Sequence, residues 1–169
     1  FKTLVVAPVM TDLSGLGSTT VLALFTVATT GYLALISART SAFLVATSVI
    51  SGSILVSVFK AAFGRLRPDA AYAELSVAGL SFPSGHASMS AIVFLTLGSL
   101  LASTHSRPAE RIYILGTAVL MTLLVGLSRV ALGVHWATDV LGGWAFGAAW
   151  AGLWLLLARH VARRGDANP

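Results

Sequence analysis

The chain contains no cysteine and few charged residues. Without cysteine, disulfides, thiolate nucleophiles and cysteine-ligated metal sites are excluded. Only 10% of the 169 residues are charged, whereas 56% are hydrophobic, and the mean hydropathy is +0.87. A soluble domain of this composition would expose too much apolar surface to water. The sequence therefore predicts an integral membrane protein.

Acidic residues are scarcer than basic ones, so the net charge is +5 at neutral pH. The basic residues lie at the ends of apolar segments, as they do beside membrane spans. This placement does not favour nucleic-acid binding. We expect the lipid bilayer to be the partner, and the sequence indicates no particular oligomeric state.

Segments without charged residues predict five membrane-spanning helices. Each segment has about 17 residues or more, which at 1.5 Å per residue reaches roughly 25–30 Å. Backbone groups find no water inside a bilayer, so these segments must be helical. The predicted fold is all-α, a polytopic transmembrane bundle in one domain over residues 1–169, with an interfacial segment at the amino terminus. The predicted spans are residues 18–37, 41–59, 86–103, 112–128 and 138–157.

Small residues recur every four positions in the last span, at Gly143, Gly147 and Ala151. Such a stripe lets two helices approach closely. Packing within the bundle is the favoured interpretation, and a dimer face is the alternative.

Single crossings by all five spans place the amino-terminal segment and residues 60–82 and 129–137 on one side of the membrane. That side carries five of the Lys and Arg residues, and the other carries six. When the candidate site residues Lys60, Arg67 and Arg129 are left out, two basic residues remain on the first side and six on the second. The positive-inside rule then predicts that the second side is cytoplasmic and that the candidate site is extracytoplasmic.

Three polar clusters lie on the predicted extracytoplasmic side. In "KAAFGRLRP", Lys60 ends a span, and Arg67 precedes a proline that disfavours helix at that position. In "FPSGHASMS", Ser84 and Gly85 begin a helix whose free N–H groups would face an anion beside His86. Each cluster alone is also typical of an ordinary membrane flank, with snorkelling cations or a helix cap.

The third cluster, "SRVALGVHWATD", contains Arg129, His135 and Asp139. Residues four apart share a helical face, so Asp139 can accept a hydrogen bond from one ring nitrogen of His135 and leave the other exposed. This is how a carboxylate orients a base or nucleophile. A metal site and an Arg129–Asp139 ion pair are the alternatives. Three nearby cations would repel a metal ion, whereas they would attract phosphate.

The three clusters together resemble the type 2 phosphatidic acid phosphatase superfamily. The pattern is Lys, six residues, Arg-Pro; then Pro-Ser-Gly-His; then Ser-Arg, five residues, His, three residues, Asp, and every motif position matches. Membrane enzymes of this family commonly have six spans, so the resemblance implies one further span in the full-length protein.

The resemblance implies a phosphatase that uses no metal and no cofactor. His135 would be the nucleophile, Asp139 would stabilise its charged ring, and His86 would protonate the leaving oxygen. The implied phosphate-binding residues are Lys60, Arg67, Ser84, Gly85 and Arg129. Ser84 is a poorer candidate nucleophile because no histidine oriented by a carboxylate adjoins it in sequence.

The expected substrate is a lipid phosphate, because the site lies at the membrane surface. Phosphatidic acid, phosphatidylglycerol phosphate and a polyprenyl diphosphate such as undecaprenyl diphosphate all fit. A carrier or transporter that binds without hydrolysis is the alternative, although transporters place charged groups near mid-membrane. A purely structural bundle would not require these clustered cations and histidines.

Overall fold

The structure is a computed structural model that describes residues 2–68 and 79–166, with side chains for residues 6–68 and 79–161. All regular secondary structure in these ranges is α-helical, which confirms the all-α prediction. The helices in chain order are α1 (Lys2–Gly15), α2 (Thr19–Leu35), α3 (Arg39–Phe63), α4 (Gly85–Ser103), α5 (Pro108–Ala131) and α6 (Ala137–Asp166).

Five segments of the described chain are long and apolar enough to cross a membrane, in agreement with the predicted number. The last four predicted spans are shorter than the helices that contain them. Charged residues mark where the apolar segment ends, but the helix continues while long side chains reach toward water. The five segments are Val6–Leu35, Arg39–Phe63, Gly85–Ser103, Pro108–Ala131 and Ala137–Val161.

The first of these segments contains a turn between α1 and α2. Ser18 caps α2 by accepting a hydrogen bond from the backbone N–H of Val21 at 3.3 Å. Gly17 lies against Val125 of α5 so closely that a Cβ would clash. Helix α1 thus packs against α5, and its interfacial position in the membrane stays a prediction.

Helix α4 lies at the centre of the bundle and packs against α2, α3, α5 and α6. Its residues Ala87, Ala91, Ile92 and Val93 are fully buried. A central helix that is apolar on all sides is typical of a bundle core. The start of α4 therefore has a fixed position at one end of the bundle.

The small-residue stripe of α6 faces α4. A Cβ on Gly147 would lie 2.6 Å from the carbonyl oxygen of Ser88, and one on Gly143 would lie 3.0 Å from that of Ser84. Ala151 is also buried. The prediction of close packing within the bundle is confirmed, and this packing fixes α6 against the amino-terminal end of α4.

The helices alternate in direction, so the turns collect at two ends of the bundle. The end of α3, the start of α4, the α5–α6 turn and the α1–α2 turn lie at one end, as their mutual contacts show. Arg39, His105 and Arg107 belong to the turns at the opposite end. The three polar clusters thus share one end, as the sequence predicts.

Candidate active site

Side chains from the first and third clusters meet directly. Nη1 of Arg67 lies 3.1 Å from Nε2 of His135 and donates to the carbonyl oxygen of Val134 at 2.9 Å. Arg67 also donates through Nε to the carbonyl oxygen of Gly79 at 3.0 Å. The guanidinium therefore spans the space between the α3–α4 connection and the α5–α6 turn.

His86 of the second cluster lies beside the same cations. The side chain of Lys60 passes the start of α4, where a Cβ on Gly85 would lie 3.8 Å from Cε of Lys60. The charges of Lys60, Arg67 and Arg129 act on His86 and on His135 alike. The two imidazoles thus share one cationic environment.

The hydrogen bonds around His135 determine which ring nitrogen carries the proton. Arg67 can only donate, so Nε2 of His135 must accept and carries a lone pair. Nδ1 then carries the proton and faces Oδ2 of Asp139 at 3.4 Å and Oγ of Ser81 at 3.3 Å. The lone pair of Nε2 is the one that a nucleophilic histidine needs.

Asp139 is fully buried and engaged by several donors. Oδ2 accepts from the Ser81 hydroxyl and from the backbone N–H of Trp136, the latter at 2.9 Å. Oδ1 forms an ion pair with Nη1 of Arg65 at 2.9 Å. The alternative of an Arg129–Asp139 ion pair is wrong. Asp139 pairs with Arg65, and Arg129 bonds to Ser14.

Arg129 is buried at the end of α5 and makes its contact with α1. Its Nη1 donates to Oγ of Ser14 at 2.6 Å, across 115 positions in the sequence. Ser14 itself is 4% exposed. Helix α1 therefore contributes to holding a candidate phosphate-binding side chain in place.

Sequence reasoning missed the three residues that hold the site together: Ser81, Arg65 and Ser14. Ser81 had a weak signal, because it is a polar residue two positions before the proline of the second cluster. Arg65 lies within the first cluster, but its spacing alone does not distinguish it from a cation that flanks a membrane span. Ser14 had no signal, since its partner is distant in sequence.

The connection before α4 is fixed at several points. The backbone N–H of Ser84 donates to the carbonyl oxygen of Asp139 at 3.0 Å, and that of Ser81 donates to Arg65 at 2.8 Å. The ring of Phe82 contacts Phe63 edge to face and occupies the space that a side chain on Gly142 would need. The start of α4 is thereby placed against the start of α6.

Two buried polar atoms at the site have no hydrogen-bond partner within the described part of the chain: Oγ of Ser84 and Nε of Arg129. Ser84 is the N-cap residue of α4, yet its hydroxyl makes no capping bond. Leaving such groups unpaired costs about 1–3 kcal/mol each. The N–H groups at the start of α4, which follow Ser84 directly, favour negative charge there.

The cations of the site bond to neutral oxygens. Lys60 donates to the carbonyl oxygen of Leu80 at 2.8 Å, Arg67 bonds to two carbonyl oxygens, and Arg129 bonds to a serine hydroxyl. Among residues 6–68 and 79–161, the one carboxylate near them is Asp139, which pairs with Arg65. The site thus retains a strong excess of positive charge that suits a phosphate dianion.

Burial is the main cause that lowers the pKa of His135 below its usual value, and the charges of Arg67, Lys60 and Arg129 lower it further. The hydrogen bond to Asp139 acts in the opposite direction. The imidazole is therefore neutral at physiological pH in the absence of substrate. Over the described side chains, no three His, Asp or Glu residues are grouped as metal ligands.

The sequence is similar to those of known membrane proteins. The sequence model of the PAP2 superfamily matches residues 41–163. The chain is 40% identical over 98 residues to phosphatidylglycerophosphatase B of Bacillus subtilis, covering 56% of this chain and 46% of that protein. It is 36% identical over 100 residues to undecaprenyl-diphosphatase of Sulfolobus acidocaldarius, covering 56% and 44%. The chain therefore spans about half the length of these relatives.

A solved structure has a closely similar fold. It is the crystal structure of a transmembrane PAP2 type phosphatidylglycerolphosphate phosphatase from Bacillus subtilis. The TM-score is 0.80 at 28% sequence identity, and the superposition covers 94% of this chain and 77% of that one. The helical bundle described above is thus an arrangement that has been observed in a membrane phosphatase.

Proposed function

The chain belongs to the PAP2 superfamily, and from this we propose that it is a membrane phosphatase that removes the terminal phosphate of a lipid. The observation that carries the proposal is the meeting of two histidines and three cations at one end of the bundle. One of these histidines, His135, carries a lone pair on Nε2, which accepts from Arg67 in the absence of substrate.

In the first half-reaction, the lone pair of Nε2 on His135 attacks phosphorus. The N–P bond forms as the bond from phosphorus to the leaving oxygen breaks. His86, which is protonated once the negative charge of the phosphate lies beside it, gives its proton to that oxygen. The product is a phosphohistidine and a free lipid alcohol. Asp139 and Ser81 hold Nδ1 in place and stabilise the positive charge that develops on the ring.

In the second half-reaction, water takes the place of the alcohol. His86, now neutral, accepts a proton from the water as its oxygen attacks phosphorus and the N–P bond breaks. Inorganic phosphate leaves and both imidazoles return to their starting states. The same histidine serves as acid and then as base, as microscopic reversibility requires of a two-step hydrolysis.

The phosphate oxygens would be held by Lys60, Arg67, Ser84, Gly85 and Arg129. Phosphoryl transfer spreads negative charge over these oxygens, so fixed donors and cations lower its barrier. Arg67 now donates to the lone pair of His135. Substrate phosphate would draw this guanidinium onto its own oxygens and thereby release Nε2 for attack.

The orientation in the membrane follows from the distribution of charge. Excess Lys and Arg on the end opposite the site supports a cytoplasmic location for that end. The site would then act on lipids of the extracytoplasmic leaflet of the cell membrane. Hydrolysis of a polyprenyl diphosphate such as undecaprenyl diphosphate is a second candidate, supported by the likeness to an undecaprenyl-diphosphatase.

Phosphate release by the purified full chain tests the proposal. The substrates are phosphatidic acid, phosphatidylglycerol phosphate and undecaprenyl diphosphate in mixed micelles, each with and without chelator. We expect release from at least one lipid, unaffected by chelator, and loss of release in His135→Ala. Tight binding of the lipids without any release would instead indicate a carrier, and an absolute magnesium requirement would contradict the metal-free mechanism.

A further inference from the structure

Two buried polar atoms far from the phosphatase site have no hydrogen-bond partner among the described residues. They are Oγ1 of Thr96 on α4 and Nε1 of Trp154 on α6. The other tryptophans of the chain each donate Nε1 to a backbone carbonyl oxygen: Trp136, Trp144 and Trp150. An unpaired N–H inside a membrane bundle is costly, so Trp154 calls for an acceptor that the described chain does not supply.

Thr96 differs from the other buried threonines in the same way. The hydroxyls of Thr26 and Thr122 donate to the carbonyl oxygens four residues earlier in their helices, at 2.7 and 2.9 Å. Thr96 is 5% exposed and lies within α4, yet it makes no such bond. Its hydroxyl is therefore free to bind a ligand.

Thr96 and Trp154 line one small cavity between α3, α4 and α6. The cavity has a volume of about 50 Å³, and most of its other lining is apolar, as at Leu44 and Val45. The indole N–H can only donate, so an occupant that pairs with Trp154 must accept a hydrogen bond. A carbonyl oxygen carried by an apolar molecule suits this lining.

A larger cavity adjoins the first. It has a volume of about 490 Å³ and lies between α4, α5 and α6. Leu100, Leu155 and Ala158 line both cavities. The two spaces therefore lie side by side at the end of the bundle opposite His135.

The larger cavity is cationic. Arg111 and Arg159 line it, and no acidic residue is among the described residues of its lining. Nε of Arg111 donates to the carbonyl oxygen of His105 at 2.6 Å, which uses one of its five N–H donors. The two guanidinium groups thus favour an anion, and the fork of Arg donors matches phosphate oxygens.

The depths of the polar groups follow the order of groups in a phospholipid. Helices α4 and α6 both run toward the end opposite the phosphatase site. Arg159 is five residues after Trp154 on α6 and lies about 7.5 Å nearer that end along the helix axis. A phospholipid has its phosphate at the membrane surface and its acyl esters deeper, separated by the glycerol backbone.

We propose that the two cavities hold one anionic phospholipid. Its phosphate binds Arg111 and Arg159, and one acyl ester carbonyl accepts hydrogen bonds from Trp154 and Thr96. Basic pockets between transmembrane helices are sites where anionic lipid head groups bind. A free phosphate ion would use the arginines but leave the two inner groups unpaired, so the whole lipid is favoured. None of the residues in the phosphatase mechanism lines either cavity, and this site does not depend on that function.

Native mass spectrometry of the purified full chain tests the proposal. The protein in detergent receives an equal mixture of dioleoyl phosphatidylserine and dioleoyl phosphatidylcholine, which differ in net charge but not in acyl chains. We expect one phosphatidylserine to bind in preference to phosphatidylcholine. The affinity should fall about 30-fold in the double change Arg111→Gln with Arg159→Gln, as for two cations near the membrane surface.

A cation at the same end provides the matched control. Arg39 lies in the turn before α3 and lines neither cavity. Arg39→Gln should bind phosphatidylserine as the unaltered protein does. Both cavity arginines and Arg39 are exposed, so none of these changes should unfold the protein.

Thr96→Val tests the inner contact through two effects of opposite sign. Binding of phosphatidylserine should weaken about fivefold with the loss of one neutral hydrogen bond. The melting temperature of the lipid-free protein should not fall, because valine removes an unpaired buried hydroxyl. Thr122→Val is the matched control. It loses the bond to the Ala118 carbonyl and should keep its affinity for the lipid.

The possible outcomes are distinct. Equal binding of the two lipids overturns the proposal, and so does a preference that survives in the double variant or that Arg39→Gln reduces equally. Competition by glycerophosphoserine as strong as that by the whole lipid would show that the ligand is a free anion. Unchanged binding in Thr96→Val would show that water and not an ester occupies the inner cavity, which overturns the proposed lipid contacts. Absence of phosphate release from every lipid would overturn the phosphatase function and leave this site standing.

Discussion

Ser81 donates a hydrogen bond to the carboxylate of Asp139, and its oxygen lies 3.3 Å from Nδ1 of His135. All three side chains are buried, with 0–3% of their surface exposed. The serine therefore bridges the carboxylate and the imidazole, whose own separation is longer than a good hydrogen bond at 3.4 Å. Ser81 is a positioning residue for the proposed nucleophile.

Removal of this hydroxyl should slow catalysis while substrate binding persists. We expect Ser81→Ala to lower kcat by about 10–100-fold, because one buried hydrogen bond at a charged group contributes roughly 1.5–3 kcal/mol. KM should change little, since the hydroxyl of Ser81 contacts Asp139 and His135 and none of the proposed phosphate-binding residues. Steady-state kinetics check this, and Ser51→Ala serves as a control. A rise in KM at constant kcat would show that Ser81 acts on binding instead.

Arg65 neutralises the other oxygen of the same carboxylate. Arg65→Gln should leave a buried charge poorly compensated, which lowers the melting temperature and reduces kcat by about tenfold. Arg65 is 40% exposed, so water will offset part of the loss. Arg39→Gln, at the opposite end of the bundle, is the control and should have no effect on kcat. A melting temperature and kcat equal to those of the unaltered protein would contradict this role of Arg65.

Ser14 links α1 to the phosphate site through Arg129. Ser14→Ala removes the hydrogen-bond partner of a buried guanidinium, so we expect KM to rise several-fold as Arg129 loses its orientation. Thr11→Ala is the matched control, because the Thr11 hydroxyl bonds to the Ala7 carbonyl within α1 and does not approach the site. Equal KM values for the two variants would show that α1 does not contribute to phosphate binding.

The pH dependence of kcat/KM should report the lowered pKa of His135. The nucleophile must be neutral, so the acid limb of the kcat/KM profile should lie below pH 6.5, the usual pKa of histidine. Arg67→Gln removes one positive charge, which should raise the pKa of His135 and move that limb to higher pH. Titration of the substrate is the same for both proteins and cancels in the comparison. If the acid limb of Arg67→Gln moved to lower pH instead, Arg67 would not be lowering the pKa of His135.

The same shift affects stability. The folded-state pKa of His135 is lowered, so folding is fully stabilised above about pH 6.5, where the unfolded chain also holds a neutral histidine. As the pH falls below that value, the unfolded chain takes up the proton first and the folded protein loses stability. The melting temperature of Arg67→Gln should therefore fall less than that of the unaltered protein as the pH is lowered below about 6.5.

Vanadate should inhibit the protein. Its trigonal bipyramidal adduct resembles the transferring phosphoryl group, and the cations and helix end that hold phosphate would hold it too. Inhibition should weaken by about tenfold or more in Lys60→Gln, which removes one cation. Equal inhibition of the two proteins would show that vanadate binds elsewhere.

Much of the site was predictable because most of its candidate residues lie in short sequence motifs. The spacing of His135 and Asp139 predicts that their side chains meet, and they do. The shared helical face was wrong, because His135 lies in the turn before α6 and only Asp139 is helical. The spans were also predictable, since hydrocarbon requires long apolar helices. Helix ends were predicted too short because charge marks the limit of the hydrocarbon and not the last helical residue.

The contacts that assemble the motifs were not predictable from spacing. Ser81 and Asp139 are 58 positions apart, Arg65 and Asp139 are 74 apart, and Ser14 and Arg129 are 115 apart. The first two depend on how the α3–α4 connection lies against α6, and the third depends on how α1 packs against α5. The periodicity of a single sequence predicts where a helix forms but does not predict which other helices it packs against.

The central claim is that His135 forms a covalent bond to phosphorus, and trapping that intermediate tests it most directly. A radiolabelled phosphate ester with a nitrophenol leaving group needs no acid, so His86→Ala should accept the phosphate on His135 but hydrolyse it slowly. We predict an acid-labile, alkali-stable label that mass spectrometry assigns to His135 and that His135→Asn abolishes. An acid-stable label on Ser84, or full activity in His135→Asn, would contradict the mechanism.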